Sequence, residues 1–149
     1  MSGLSRKFAL AAAAHVLALA WVPEVLASSA EITADQAGHF VTTAEIDHTA
    51  ITVLVDTGAS LVALSYEDAE RAGLAPRTLT YDVPILTANG GIHAAKVLLN
   101  RVEIGNVLVR DVEGVVLPKG AFDGTLLGMS FLNKLSRFKV EDGKLFLQE

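Results

Sequence analysis

Residues 31–149 predict an all-β domain carrying one or two short helices. Two observations carry that reading. The apolar stretches are short, and the words that interrupt them are turn formers suited to tight hairpins: Asp47-His48, Asn89-Gly90, Gly105-Asn106 and Asp142-Gly143. A third observation adds a shape. An apolar strand followed by Asp56-Thr57-Gly58-x-Ser60 is echoed by an apolar strand followed by Leu126-Leu127-Gly128-x-Ser130, which suggests two similar loops in a pseudo-symmetric barrel.

The chain of 149 residues holds one such domain and an appendage. Twelve Lys plus Arg against seventeen Asp plus Glu give a net charge of −5 with no basic block, which excludes a nucleic-acid footprint. With no cysteine there is no disulfide, thiolate nucleophile or Cys-ligated metal. The four histidines, His15, His39, His48 and His93, are scattered, none at the i, i+4 spacing of a helical metal site, so no metal site is expected.

The appendage is residues 1–30. Arg6 and Lys7 precede an apolar run over residues 8–22, and small residues follow at Ala27, Ser28, Ser29 and Ala30. That is the order of a secretory signal, with Val25-Leu26-Ala27 as its cleavage site. The run is shorter than the ~20 residues of a spanning helix, which favours a cleaved signal over a retained single-pass anchor. In both cases the positive-inside rule keeps Arg6 and Lys7 in the cytoplasm, brings this segment to the membrane and exports residues 31–149 to the periplasm.

In chain order, residues 40–46 and 50–55 make a first hairpin around Asp47-His48, its second strand apolar on both faces and ending at Asp56. "SYEDAERAG" predicts a short helix: Ser65 caps it, Asp68 sits at the reciprocal capping-box position, Glu67 and Arg71 are spaced to pair, and Gly73 ends it. "ILTANGGIHAAKVLL" predicts a hairpin turning at Asn89-Gly90 with a small, mobile, exposed tip. Residues 102–104 and 107–109 pair across Gly105-Asn106, and "GVVLP" reads as a further buried strand stopped by Pro118. Leu126 and Leu127 end a strand at Gly128, residues 129–135 predict a second helix, and the last hairpin turns at Asp142-Gly143.

The chemistry centres on "LVDTGASLVAL". An ionised carboxylate in apolar surroundings is costly unless paired or neutralised. Asp56 is therefore either a turn former at a strand end, the ordinary role of Asp, Thr and Gly there, or the working group of the protein.

Three motifs decide between these. "LVDTGAS" (54–60), "TANGG" (87–91) and "LLGMSFL" (126–132), in that order, resemble the retropepsin-like aspartic peptidases, in particular their bacterial single-domain, exported or membrane-associated branch, across essentially all of residues 31–149. The resemblance implies a closed barrel assembling as a symmetric homodimer. It implies that Asp56 is the catalytic aspartate, that the Thr57 hydroxyl knits two active-site loops together, and that Gly58 lets the loop backbone approach closely. Leu126, Leu127 and Gly128 would support that loop, and Thr87, Ala88, Asn89, Gly90 and Gly91, continuing to His93, would form a flap over an extended peptide substrate. No cofactor is implied.

Such a peptidase uses two facing carboxylates that share one proton, because two acids a few Å apart cannot both ionise. One takes a proton from water while the other protonates the carbonyl oxygen. Only one D-T-G is present, and Asp123 in "FDGTLLG" has the wrong order and reads as a turn, so the partner carboxylate is expected from Asp56 of a second copy across a two-fold axis. The rival class is a non-catalytic dimeric module that binds extended peptides; it is opposed by the intact Asp56-Thr57-Gly58, since peptide binding alone needs no such acid. A phosphoryl-transfer enzyme is opposed by the lack of a D-K-T-G word and an acidic metal cluster.

Overall fold

The computed structural model describes residues 27–87 and 90–149. Most of the expected leader, and Ala88 and Asn89 of the expected flap, lie outside the described residues. Among the described residues no helix is long and apolar enough to cross a membrane.

The first hairpin forms where its turn word places it. β2 (Val41–Ile46) and β3 (Thr49–Val55) pair antiparallel, and the turn takes φ of 45° at Asp47 and 71° at His48, the left-handed pair of a type I′ turn built without glycine. Bonds across the barrel offset the strain: the Asp47 carboxylate accepts from the Arg101 amide at 3.0 Å, and the Asp47 amide donates to the Arg101 carbonyl at 3.1 Å. β3 is not apolar-buried on both faces as its composition suggests. Ile51 and Val53 are buried while Ala50 and Thr52 are exposed, because a barrel offers each strand only one interior face.

β2, β3, β8 (Thr125–Leu127), β4 (Val62–Leu64), β7 (Val107–Val116) and β6 (Gly90–Ile104) are hydrogen-bonded in that order. Glu45 and Ile46 of β2 then pair onto Glu103 and Val102 of β6, closing a six-stranded barrel. β5 (Tyr81–Thr87) lies beyond the ring, paired with β6 alone. Residues 107–109 and 114–116 are one strand, not two. β7 passes Asp111 at φ 54° without slipping register, Leu99 facing Val112 and Arg101 facing Arg110. The charged residues that read as a break are side chains on its outer face: Arg110, Asp111 and Glu113 are exposed and Val112 is buried.

α1 (Tyr66–Arg71) begins as its sequence dictates, the Ser65 hydroxyl accepting from the Asp68 amide at 3.1 Å. The rest of the predicted capping box is not made. Asp68 instead accepts from the Thr125 hydroxyl at 2.8 Å and from Arg71 at 3.0 Å, so Arg71 pairs one residue nearer than Glu67 and also reaches the Ala50 carbonyl at 2.8 Å. Tertiary partners across the barrel wall outcompete the local ones. Gly73, at φ 77°, ends the helix in a Schellman arrangement, its amide on the Glu70 carbonyl and that of Leu74 on Ala69. A single 3₁₀ turn (Pro76–Thr78) leads into β5. α2 (Met129–Leu132) is one turn long and stops before the predicted end at 135, where further single turns let Leu135 reach the core.

A three-stranded antiparallel sheet completes the fold: β1 (Ser29–Thr33), β10 (Lys144–Gln148) and β9 (Arg137–Glu141), the last two joined by Asp142 at φ 50° and Gly143 at φ 71°. The principal core joins the barrel interior to this sheet through Ile32, Leu145 and Leu147 and to the helices through Ala69, Phe131 and Leu132. A second, smaller cluster of Ala63, Ala94, Val115 and Leu117 lies apart from it, rimmed by the half-buried Leu61, Ile85, Ile92, Ala121 and Leu126.

Candidate active site

Asp56 leaves the end of β3 beside the end of β8, because these strands run parallel with Val53, Leu54 and Val55 facing Thr125, Leu126 and Leu127. Its amide donates to the Leu127 carbonyl at 3.1 Å, its carbonyl accepts from Ala59 at 3.2 Å, and its carboxylate accepts from the Gly58 amide at 2.8 Å. The carboxylate is thus oriented by its own loop and stays half-buried, while Thr57 and Gly58 are exposed beside it. A Cβ on Gly58 would stand 3.1 Å from that same carboxylate oxygen.

The two echoed segments are bound to each other. Leu127 accepts from Asp56, and in return Met129 donates to the Ala59 carbonyl at 2.8 Å and Ser130 to the Ser60 carbonyl at 3.0 Å. Gly128 sits between them with no room for a side chain, since a Cβ there would lie 2.2 Å from the Leu61 carbonyl oxygen and 2.6 Å from that of Ala59. The Ser130 side chain is a site residue that the motifs did not single out. Its hydroxyl donates to the Glu113 carbonyl of β7 at 2.6 Å and accepts from the Val62 amide at 2.9 Å, fixing the exit of the Asp56 loop. The signal for it was the echo, which set Ser130 in the place of Ser60 without showing that the two segments touch.

The expected flap is the β5–β6 hairpin. Thr87 faces Gly90, and the Thr87 hydroxyl donates to the Gly90 carbonyl at 2.8 Å. Gly90, at φ 113°, belongs to β6, while Asn89 of the predicted Asn89-Gly90 turn lies outside the described residues. Gly91 faces Leu86, which is 87% exposed, and His93 is exposed opposite Pro84. Two pairs below Thr87 and Gly90, Ile85 and Ile92 share the smaller apolar cluster with Leu61, which follows the Asp56 loop, and Leu126 of β8, so the hairpin and the two echoed segments line one end of the barrel. Asp123 is elsewhere. It lies in the bend before β8, at the opposite end of that strand from Leu127, whose carbonyl accepts from the Asp56 amide. There it lines a shallow cleft with Thr52, Ser65, Glu67, Asp68, Arg71 and Gly124.

A closed six-stranded barrel with an outlying hairpin and a D-T-G loop laced to an apolar L-L-G loop defines the retropepsin-like aspartic protease fold. The chain belongs to the family described as "gag-polyprotein putative aspartyl protease", whose profile matches residues 42–134. It is similar to a retropepsin-like aspartic protease from Rickettsia conorii, with 36% identity, a TM-score of 0.74 and coverage of 82% of this chain and 91% of that one. The fold is shared more distantly with the EIAV protease solved with the inhibitor HBY-793, at 18% identity and a TM-score of 0.58 over 74% of this chain and the whole of that one. Among curated proteins it is 46% identical over 112 residues to an uncharacterized protein from a cobV 5′ region of a Sinorhizobium species, covering 75% of this chain and 48% of that protein. It is 40% identical over 110 residues to an uncharacterized Rickettsia prowazekii protein, covering 74% and 47%. The chain thus spans about half the length of the curated relatives it matches.

Proposed function

We propose that this chain is an aspartic endopeptidase whose carboxylate pair is Asp56 from two copies related by a two-fold axis. The observation that carries this reading is the loop itself: one half-buried carboxylate, oriented by the Gly58 amide, at an open barrel end, with Asp123 at the other end of β8 in a separate cleft. In the dimer, one Asp56 takes a proton from the attacking water while the other, holding the shared proton, gives it to the peptide carbonyl oxygen. The exposed Thr57 supplies a hydroxyl to the facing loop, and Leu126, Leu127 and Gly128 hold the backbone beneath. Substrate lies extended between the loops and residues 87–91, bonded as an added strand, with side chains entering apolar pockets formed by Leu61, Ile85, Ile92 and Leu126. The leader takes this domain across the membrane into the periplasm, as a cleaved signal or as an anchor.

Cleavage of an unbiased peptide mixture by the full chain in detergent tests this reading, read by mass spectrometry of the products. Cuts flanked by apolar residues are expected from the wild type and none from Asp56→Asn, which is nearly isosteric but can neither accept the water proton nor hold the shared one. Cleavage by Asp56→Asn would overturn it.

A further inference from the structure

β8 carries the backbone that supports Asp56, yet the sheet gives it few bonds. It is three residues long and pairs with β3 at Val53, Leu54 and Val55 and with β4 only where Leu126 faces Ala63. So short a parallel ladder specifies the stagger of two strands poorly. A shift of β8 along β3 would part the Leu127 carbonyl from the Asp56 amide and move Gly128 from its place against Ala59 and Leu61. The stagger needs a second anchor.

α1 supplies one at the other end of both strands. Its first turn is bound to the start of β8: the Ser65 amide donates to the Gly124 carbonyl at 3.0 Å, and Thr125, itself buried, gives its hydroxyl to one oxygen of Asp68 at 2.8 Å. Its last turn is bound to the start of β3, where Arg71 donates to the Ala50 carbonyl at 2.8 Å and the Arg71 carbonyl accepts from the Thr49 hydroxyl at 3.4 Å. The two anchors are joined. Arg71 donates at 3.0 Å to the other oxygen of Asp68, one turn away on the same helix face. Thr125, Asp68, Arg71 and Ala50 thus form one hydrogen-bonded line from β8 to β3. Arg71 is 58% exposed, so its arm of the line adds little to stability. What it fixes is geometry.

We propose that Asp68, Arg71 and Thr125 are positioning residues for the candidate active site, a clasp that fixes the stagger of β3 against β8 and thereby seats Asp56 against Leu127 and Gly128. Its effect on turnover rests on the peptidase reading; its effect on the loops does not. None of the three residues belongs to the smaller apolar cluster, so the pockets offered to substrate are left as they are.

In the full chain in detergent, Arg71→Met cuts the line at one end, and Thr125→Val, of the same shape without the hydroxyl, cuts it at the other. Each should lower kcat about tenfold per folded chain with KM unchanged, since a small displacement of reacting groups is enough to cost that much. The double variant should lose no more than the worse single one, because two cuts in one line remove the same constraint. Thr125→Ser, which keeps the hydroxyl, should turn over at the wild-type rate, and so should Glu67→Gln, which removes a charge beside the clasp. Measured by NMR, the amides of Asp56, Met129 and Ser130 should exchange with deuterium about tenfold faster in both single variants, with those of β6 unchanged. Should Thr125→Val not fold, Asp68→Ala, which removes both bonds at the shared carboxylate, takes its place. Losses that multiply in the double variant, a rise in KM alone, or unchanged exchange at those three amides would overturn the clasp. A wild type that cuts no peptide sinks the peptidase reading alone, since faster exchange in the variants would still carry the clasp.

Discussion

The two apolar clusters of this domain are built to different standards. In the larger, Ile46, Ile51, Leu64, Leu99, Leu127 and Phe131 are completely buried, and both helices and the three-stranded sheet are bound into it. In the smaller, four buried residues of modest size are ringed by five that stay half-buried, contributed by the Asp56 loop, the β7–β8 connection, the echoed segment and the β5–β6 hairpin. The first is closed because every element contributes a face to it. The second is left open at the end of the barrel where the carboxylate lies, so it has apolar surface available to something other than the chain. The contrast separates residues that hold the fold from residues that, in the proposed peptidase, would meet its substrate.

The sharpest test of that separation is Phe131→Ala. Removing a fully buried ring from the closed cluster should destabilise the chain by about 3–5 kcal/mol, seen as a lower urea midpoint, with residual activity following the folded fraction. Gly128→Ala strikes where the two regions join. Its methyl group has no space against the carbonyls of Ala59 and Leu61, so a loss of about 1–3 kcal/mol should accompany a fall in turnover that exceeds the folded fraction. Ile85→Ala, in the open cluster, should cost only about 1 kcal/mol yet raise KM and change which residues flank the cut. Equal stability losses for Phe131→Ala and Ile85→Ala would erase the distinction.

The smallest effect concerns an exposed pair outside both clusters. A hydrogen bond from Lys96, at 2.7 Å, and its charge hold the Glu113 carboxyl below its usual range. A carboxylate depressed in this way adds stability that is present above its unfolded value and is lost as pH falls through the folded one. Lys96→Met should therefore be slightly less stable than wild type at neutral pH, with the gap closing in acid and in salt. A gap that widened in acid would contradict the assignment.

Much of this could be read from sequence because it was local. The caps of α1, the turns at Asp47-His48, Gly105-Asn106 and Asp142-Gly143, and the D-T-G word all depend on residues within a few positions of one another, where side chain and backbone act without help from the rest of the chain. The echo of residues 54–60 in residues 126–130 also showed in the sequence, and the reciprocal bonds between Asp56, Leu127, Ala59 and Met129 give it a physical meaning.

What the tertiary structure decided is what distant partners control. The closing of β2 onto β6, the continuity of β7 through Asp111 and the diversion of Asp68 to Thr125 leave no local signature. The physical reason is the same in each case. A strand's neighbour, and hence which of its faces is buried, is set by which distant segment can satisfy its backbone and cover its apolar side chains, so the sequence determined the words of this protein while barrel closure determined which of them meet at the site.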